Sequence, residues 1–254
     1  MVNTKSRQFR GILLYRLKYR ESDMLVKFMT ATAGKKMFLV RRATKTHAPL
    51  ASVILPFSYG TYEGVLKTNG LSYLDSGNQV HNFEQISNDI ILNAYATYIM
   101  GLLDQALPDS VADQHWFKNL YYALTFINNG FDPEIITNIV EIQLLPLFGV
   151  APEWHHCAAC GLDKSVYDYS EKYGGLLCAA DFALDSHRMH LDQRTIYYLR
   201  QFSAIDMKKI THIQVNRETK KKLRQVLDKI YDSSVGINLK SKHFLDQMDR
   251  WKLD

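Results

Sequence analysis

The pattern of hydrophobic and polar positions changes near residue 80 of the chain. Before that point, short runs alternate apolar with polar side chains, are rich in β-branched and aromatic residues, and are separated by turn-forming residues. This pattern is typical of β-strands, and it predicts strands over residues 9–16, 23–30, 35–42, 53–63 and 71–80. The Asn69-Gly70 pair supplies the positive φ angles of a tight hairpin. Five antiparallel strands in so short a segment predict a small barrel, either of the five-stranded OB type or of the SH3-like type.

Beyond residue 80 the apolar positions recur with the period of an α-helix. Apolar residues at steps of four predict a first helix that ends before Pro108. Asn129-Gly130 ends the second helix, and Asp132-Pro133-Glu134 begins the third with an N-cap carboxylate and a proline at the first helical position. The predicted helices span residues 84–107, 116–127, 132–145, 192–203 and 216–233. The predicted domains are a barrel over residues 1–80 and a mostly α-helical domain over 81–254, with an irregular insertion at 151–192.

Composition narrows the class of protein. A chain of 254 residues with 46% hydrophobic content can form one large domain or two to three small ones, which excludes intrinsic disorder. No apolar run reaches the roughly 20 residues that span a bilayer, and the basic first ten residues lack the apolar stretch of a signal peptide. Three cysteines do not make a disulfide framework. We therefore expect a soluble cytoplasmic protein with no membrane partner and with metal or thiol chemistry in a reducing compartment.

The net charge of +5 conceals three segments of different sign. Residues 1–80 hold 13 lysines and arginines against four acids, residues 81–192 hold four against 15, and residues 193–254 hold 14 against seven. Contact with a polyanion is therefore expected of the basic segments and not of the acidic middle. Within the last segment, the run Lys220-Lys221-Lys222-Leu223-Arg224 is either a second basic patch or a solvated helix face.

The cations of the predicted barrel are interleaved with aromatic residues. Cations beside exposed rings suit a nucleic-acid strand, because charge follows the phosphates while bases stack on the rings. Since side chains alternate across a strand, we expect Phe28, Phe38 and Phe57 inside, and Tyr15 and Tyr19 near the binding surface. The predicted DNA-binding residues are Arg10, Tyr15, Arg16, Lys18, Tyr19, Arg20, Lys35, Lys36, Arg41, Arg42 and Lys45.

The cysteines have nearly the spacing of a zinc ribbon. Cys157 and Cys160 form a Cys-x-x-Cys pair, Cys178 follows after 17 further residues, and Asp181 stands where the fourth cysteine of a ribbon would be. A three-sulfur zinc site with Asp181 as the fourth ligand is one interpretation, and His155, His156, His187 and His190 offer alternative ligands. The other interpretation is that the Cys-x-x-Cys segment has lost its metal and remains as a packed loop.

The sequence supports an enzymatic function less than it supports nucleic-acid binding. A thioredoxin-like redox pair places its first cysteine at the start of a helix after a strand, and the residues before Cys157 show no strand. The motifs GxSxG, HExxH and GxxxxGK[ST] are absent from the sequence. Asp104, Asp109 and Asp113 are read as loop and cap residues in preference to a metal-binding trio. A thiol- or zinc-dependent enzyme and a zinc-ribbon nucleic-acid-binding factor, each using the three cysteines, remain the alternative functions.

A series of short motifs, in order over nearly the whole chain, resembles the RecO family of bacterial recombination mediators. The motifs are Gly11-Ile-Leu-Leu-Tyr-Arg16, Tyr19-Arg-Glu-Ser-Asp-Met-Leu-Val26, Gly34-Lys35, Leu39-Val-Arg-Arg42, Leu55-Pro-Phe57, Leu144-Leu-Pro-Leu-Phe-Gly149, Ala151-Pro152 and Gly174-Gly-Leu-Leu-Cys178. The sequence departs from the family pattern at Asp181, where many relatives have a cysteine or a histidine.

The resemblance implies an α+β protein with an N-terminal five-stranded OB-fold barrel, followed by a mostly α-helical domain with a zinc-finger-like insertion. It implies DNA repair and recombination without catalytic turnover: binding of single- and double-stranded DNA, annealing of complementary strands, and assistance to RecA on strands covered by single-stranded-DNA-binding protein. The implied partners are RecR, the acidic C-terminal tail of the single-stranded-DNA-binding protein and, indirectly, RecA. The implied cofactor is one structural zinc, and the implied location is the cytoplasm, with the nucleoid.

Overall fold

The structure is a computed structural model that describes residues 5–251, the last three by their backbone alone. Residues 1–4 and 252–254, which the predicted domains include, lie outside the described residues. The chain divides into two compact units. The first unit runs to Gly130 and resumes at Lys240, and the second unit is Phe131–Leu239.

Five strands form a closed barrel in the first unit. They are β1 (Arg7–Tyr19), β2 (Asp23–Thr30), β3 (Gly34–Val40), β4 (Ser58–Val65) and β5 (Ser72–Asn82). Their order around the barrel is β1-β2-β3-β5-β4, and β1 pairs with β4 to close it. The β3–β5 pair is parallel and the other pairs are antiparallel. The predicted OB-like barrel is confirmed.

Aromatic side chains fill the barrel as the alternation predicted. Phe28 and Phe38 are fully buried in the barrel core, whereas Phe57 is 3% exposed but lies before β4 and outside that core. Phe9 stacks on Phe38 with 5.1 Å between ring centroids, and Tyr62 lies 4.6 Å from Phe28. Because such rings bury large apolar areas and interlock by their edges and faces, this cluster holds the strands of the barrel together.

Two of the predicted strand boundaries are wrong. Residues 53–57, assigned to the fourth strand, instead contain a short 3-10 helix, Ser52–Ile54, and β4 begins at Ser58. Pro56 has no N–H to donate to a ladder, and Phe57 has a φ of +62°, which lies outside the β region. Arg41 and Arg42 lie in the turn after β3, where Arg42 has a φ of +55°.

The helices surround the barrel in the first unit and form the framework of the second. They are α1 (Glu84–Asn88), α2 (Ile90–Ala106), α3 (Gln114–Asn128), α4 (Pro133–Leu144), α5 (Gln193–Ala204), α6 (Arg217–Ile230) and α7 (Lys240–Trp251). The sequence did not predict α7. Helices α1–α3 and α7 belong to the same compact unit as the barrel, whereas the predicted division after residue 80 separates them from it. No helix in the described part of the chain has the length and apolarity needed to cross a membrane.

The helix predicted over 84–107 is interrupted at Asp89. The Asp89 carboxylate accepts hydrogen bonds from the N–H groups of Ile91 and Leu92 at 2.8 and 2.9 Å, and Asp89 itself has an extended backbone. Short polar side chains compete with the helix for backbone donors in this way and favour N-caps. The segment therefore forms two helices, α1 and α2.

The second unit contains a two-stranded hairpin within the predicted irregular insertion. Its strands are β6 (Tyr167–Ser170) and β7 (Gly175–Cys178), whose residues are all buried. The segment after β7 returns to the hairpin, where the Asp168 carboxylate accepts hydrogen bonds from the side chain of Arg188 and the backbone of His190 and Leu191. The hairpin therefore gives Cys178, its last residue, a fixed position.

Candidate nucleic-acid interface and metal centre

A row of side chains crosses the outside of the barrel. Leu17 pairs with Leu25, Leu25 with Leu39, and Leu39 with Tyr73. The next residues along β2, β3 and β5 point into the barrel core and are buried, so the row points outward. Leu17 is 52% exposed. This row lies on the strand 2–3 surface by which OB folds bind oligonucleotides.

Two cations lie against the ring of Tyr73, the aromatic residue of this row. The guanidinium of Arg41 lies 5.5 Å from the ring centroid of Tyr73, and the ammonium of Lys67 lies 4.8 Å from the same centroid. Cation–π attraction orders both long side chains at the ring. A single strand passing here meets a ring that can stack on a base and two charges that can bind its phosphates.

Further cations lie at the end of β1 and in the two turns at this end of the barrel. Lys18 and Arg20 are exposed, and the guanidinium of Arg20 lies 5.2 Å from the ring centroid of Tyr19. The N–H of Arg42 donates to the carboxylate of Asp23 at 2.8 Å, and Asp23 pairs with Tyr19, so the two turns are neighbours. We call the whole surface the cationic face. It consists of Leu17, Lys18, Tyr19, Arg20, Leu25, Leu39, Arg41, Arg42, Lys45, Lys67 and Tyr73.

The structure places Lys35 and Lys36, two of the predicted DNA contacts, inside the molecule. They are 4% and 7% exposed. The Lys35 ammonium pairs with Asp104 at 3.0 Å, and the Lys36 ammonium donates to the carbonyl of Lys67 at 2.9 Å and the hydroxyl of Ser110 at 2.8 Å. These ammonium groups already have protein partners and are shielded from solvent. They are therefore not part of the cationic face.

The four predicted metal ligands converge on one point. The Sγ atoms of Cys157, Cys160 and Cys178 and a carboxylate oxygen of Asp181 all lie within 4.8 Å of one another. The Cys160 and Cys178 sulfurs are 3.9 Å apart, and Asp181 Oδ2 lies 3.1 Å from Cys157 Sγ and 3.2 Å from Cys178 Sγ. Tetrahedral zinc would hold two sulfurs about 3.8 Å apart and a sulfur and an oxygen about 3.5 Å apart. The three distances given differ from these values by at most about 0.4 Å, and donors separated by up to 4.8 Å would approach by up to about 1 Å to hold a four-coordinate metal.

The backbone around the cysteines supports this arrangement. The Ala158 N–H donates to the carbonyl of Leu176 at 2.7 Å, which docks the Cys-x-x-Cys turn against β7. Burial opposes ionisation of Cys157, but the backbone N–H groups of Cys160 and Cys178 help to hold the pKa of its thiol below the usual value. The histidines considered as alternative ligands, His155, His156, His187 and His190, do not join the cluster found among the described residues.

Comparison with known proteins decides the family. The model described as "Recombination protein O N terminal" matches residues 4–83, and the model described as "Recombination protein O C terminal" matches residues 87–243. The chain belongs to the RecO family. It is 51% identical over 243 residues to the DNA repair protein RecO of Levilactobacillus brevis, covering 96% of this chain and 94% of that one. The corresponding protein of Lactiplantibacillus plantarum is 50% identical, with the same coverage of both chains. That of Enterococcus faecalis is 47% identical, covering 96% of this chain and 93% of that one. Membership places the chain among DNA repair and recombination proteins.

Three further predicted DNA contacts of this RecO chain lie away from the cationic face or are partly covered. Arg10 is exposed beside α3, where its guanidinium lies 5.8 Å from the ring centroid of Phe117. Arg16 donates to the carbonyl of Ile54 at 3.3 Å. Tyr15 is half-buried, and burial together with the charge of Asp104 raises the pKa of its hydroxyl.

The three aspartates of this RecO chain that sequence analysis weighed as a metal trio have structural partners. Asp104 and Asp109 both pair with the buried ammonium groups of Lys27 and Lys35, at 2.6 to 3.2 Å. Asp113 caps α3 by accepting a hydrogen bond from the N–H of Trp116 at 2.9 Å. The interpretation as loop and cap residues is correct for Asp109 and Asp113, whereas Asp104 lies within α2.

The basic run on α6 is largely neutralised by acids of the second unit. Lys220 pairs with Asp132 and Glu134, and Lys222 pairs with Asp192 at 2.9 Å and with Glu218 at 2.8 Å. These two side chains are therefore neither a free basic patch nor simply solvated. Lys221 is exposed.

Sequence reasoning missed Lys67 and Tyr73, which complete the cationic face. Both lie far along the chain from Arg41. The parallel β3–β5 pairing brings Tyr73 beside it, and Lys67, in the loop between β4 and β5, reaches the same ring. The signal available was weak, because one tyrosine in an alternating strand faces inward as often as outward.

Proposed function

We propose that this chain is a recombination mediator whose cationic face binds single- and double-stranded DNA. It anneals complementary strands and, with RecR, helps RecA to replace single-stranded-DNA-binding protein. The observation that carries the proposal is the placement of the Arg41 and Lys67 cations around Tyr73, next to an exposed apolar row on an OB-like barrel.

The chemistry of this face suits a strand of any sequence. Its cations contact phosphates, which are the same at every nucleotide, and its rings and leucines contact base faces, which all bases possess. Double-stranded DNA offers phosphates but no free base faces. We therefore expect tighter binding to single strands than to duplexes, and weaker binding of both as salt increases.

Two assays with the purified full-length chain test this function. Fluorescence anisotropy of a labelled single strand at several salt concentrations should give an affinity that falls linearly on a log–log plot against salt. Complementary strands should anneal faster with the chain than without it, in the absence of nucleotide. A chain that binds strands but leaves the annealing rate unchanged would contradict the mediator assignment.

We also propose that Cys157, Cys160, Cys178 and Asp181 hold one structural zinc ion. Zinc would cross-link the Cys-x-x-Cys turn to the end of β7 and so stabilise the insertion. The fit of the donor distances to tetrahedral coordination supports this assignment.

The metal content of purified protein tests the zinc proposal. Elemental analysis is expected to find one zinc per chain, and Cys178→Ser should lose most of it. Asp163→Asn is the matched control, because Asp163 lies near the cluster but accepts from Tyr167 and Arg200 instead. Equal zinc contents in Cys178→Ser and Asp163→Asn would contradict the ligand set.

The remaining parts of the proposal concern partners and location. The basic segment 193–254 is proposed to receive the acidic tail of single-stranded-DNA-binding protein, since its exposed cations include Lys208 and Lys209. Titration of an acidic, phenylalanine-ending peptide against the full chain tests this contact. RecR and, indirectly, RecA are the other proposed partners, and the cytoplasm with its nucleoid is the proposed location.

A further inference from the structure

Two adjoining cavities lie between the barrel and α3 in the first unit. Their volumes are about 300 and 280 Å³, and both are lined by Arg10, Phe117 and Tyr121, so they form one groove. We call it the α3 groove. Its barrel side consists of the middle of β1, the start of β4 and the end of β5, whereas the cationic face uses β2, β3, the end of β1 and the start of β5.

The wall of the α3 groove is a connected series of aromatic rings. Between ring centroids, Tyr59 lies 5.4 Å from Tyr121 and Tyr121 lies 6.0 Å from Tyr122. The three tyrosines are half-buried, so part of each ring is accessible. Base faces stack on such rings whatever their sequence.

The charge of the groove matches a polyanion. Arg10 and Lys118 are exposed lining residues, and the lining of the two cavities contains no acid. Gln79, Gln114 and Thr61 add amide and hydroxyl groups, which can bond the edges of unpaired bases. Cations, rings and side-chain amides together favour a single strand over an acidic peptide, because every nucleotide of a strand offers a phosphate, a base face and a base edge.

The backbone of β4 and β5 beside the groove is irregular, which is an observation separate from the side chains that line it. The β4–β5 register shifts between Tyr59 and Thr61, and Gln79 has a φ of +50°. At Gly60, a Cβ would lie 2.5 Å from the carbonyl oxygen of Gln79, so this approach of the strands requires glycine. Bulges and left-handed residues concentrate at binding sites, where they redirect side chains.

We propose that the α3 groove binds a second single strand of nucleic acid while the cationic face holds the first. This inference rests on the proposed function, because annealing brings together two strands. Two sites on one chain raise the effective concentration of each strand near the other without any base-specific contact.

The experiment counts the strands bound to one chain. Native mass spectrometry of the full chain is performed with a dT oligonucleotide of about eight residues, which cannot pair with itself and is short enough for one site. The wild-type chain should form a complex with two oligonucleotides. Lys118→Glu should weaken binding of the second oligonucleotide about tenfold or more and leave the first unchanged. Lys221→Glu is the control, because it makes the same charge reversal at an exposed position of α6.

The outcomes separate this inference from the proposed function. One oligonucleotide per wild-type chain, or an unchanged second site in Lys118→Glu, would overturn the groove assignment and leave DNA binding by the cationic face intact. No bound oligonucleotide at all would overturn both. If Lys118→Glu loses an acidic peptide but no oligonucleotide, the groove is a peptide site and the inference is wrong.

Discussion

Replacing Arg224 with alanine is expected to destabilise the second unit by about 3–5 kcal/mol, because it leaves a buried carboxylate without its partner. The side chain of Glu141 is 0% exposed. The Arg224 guanidinium bonds both of its carboxylate oxygens, at 2.6 and 2.9 Å, and Tyr231 donates to the Glu141 carbonyl at 3.0 Å. Because α4 is buried along residues 135–142, Glu141 has no route to solvent without displacing that helix.

Chemical denaturation followed by circular dichroism measures this effect. Lys229→Ala is the matched control, since its ion pair with Glu171 at 3.0 Å is largely exposed and should contribute less than about 1 kcal/mol. Replacing both Arg224 and Glu141 with leucine should restore much of the loss, since no buried charge then remains. If Arg224→Ala and Lys229→Ala lower the free energy of unfolding equally, burial of the Arg224–Glu141 pair does not explain its contribution to stability.

The double variant Arg41→Ala with Arg42→Asn is expected to weaken single-strand binding about 10- to 100-fold, since each of the two lost phosphate contacts contributes about 0.5–1.5 kcal/mol net. Asparagine is chosen at position 42 because the left-handed φ of +55° there is tolerated by asparagine and strained for alanine. The loss should be similar for all sequences, and the slope of log affinity against log salt should fall by about 0.7 per lost contact.

Anisotropy titrations at several salt concentrations test this prediction. The matched control replaces Arg217 and Lys221, two exposed cations of α6, with alanine and so removes the same charge. A similar loss of affinity in both double variants would mean that net charge, not the cationic face, determines binding.

The barrel was predictable because one side of each strand faces the core and the other faces solvent, so apolar and polar residues alternate in the sequence. The same rule should have excluded one of the predicted contacts. Lys35 and Lys36 are consecutive on β3, so they cannot both face the outside of the barrel. Both ammonium groups are inaccessible because they bond to residues about 70 positions away in the sequence, Asp104 on α2 and Ser110 after it. No local sequence pattern reveals such partners.

The two candidate sites differ in how much of each could be predicted. The convergence of the four candidate ligands could be predicted from spacing alone, because the β6–β7 hairpin keeps Cys178 and Asp181 close to the Cys-x-x-Cys turn and ligand chemistry restricts the residue types. The cationic face was found only in part. Arg41 and Arg42 belong to a visible basic cluster. Tyr73 joins it through a parallel strand pair, and Lys67 through the loop that precedes that strand, so both depend on long-range features of the fold.

Photochemical cross-linking shows whether a bound strand lies on the cationic face, because it identifies the surface that the strand contacts. A single strand carrying a photoreactive uracil is irradiated on the full-length chain, and the modified peptides are identified by mass spectrometry. Binding to the cationic face should give cross-links at Tyr73 and Tyr19, suppressed in the variant Arg41→Ala with Arg42→Asn. Cross-links confined to the second unit, with none on the barrel, would contradict binding to this face.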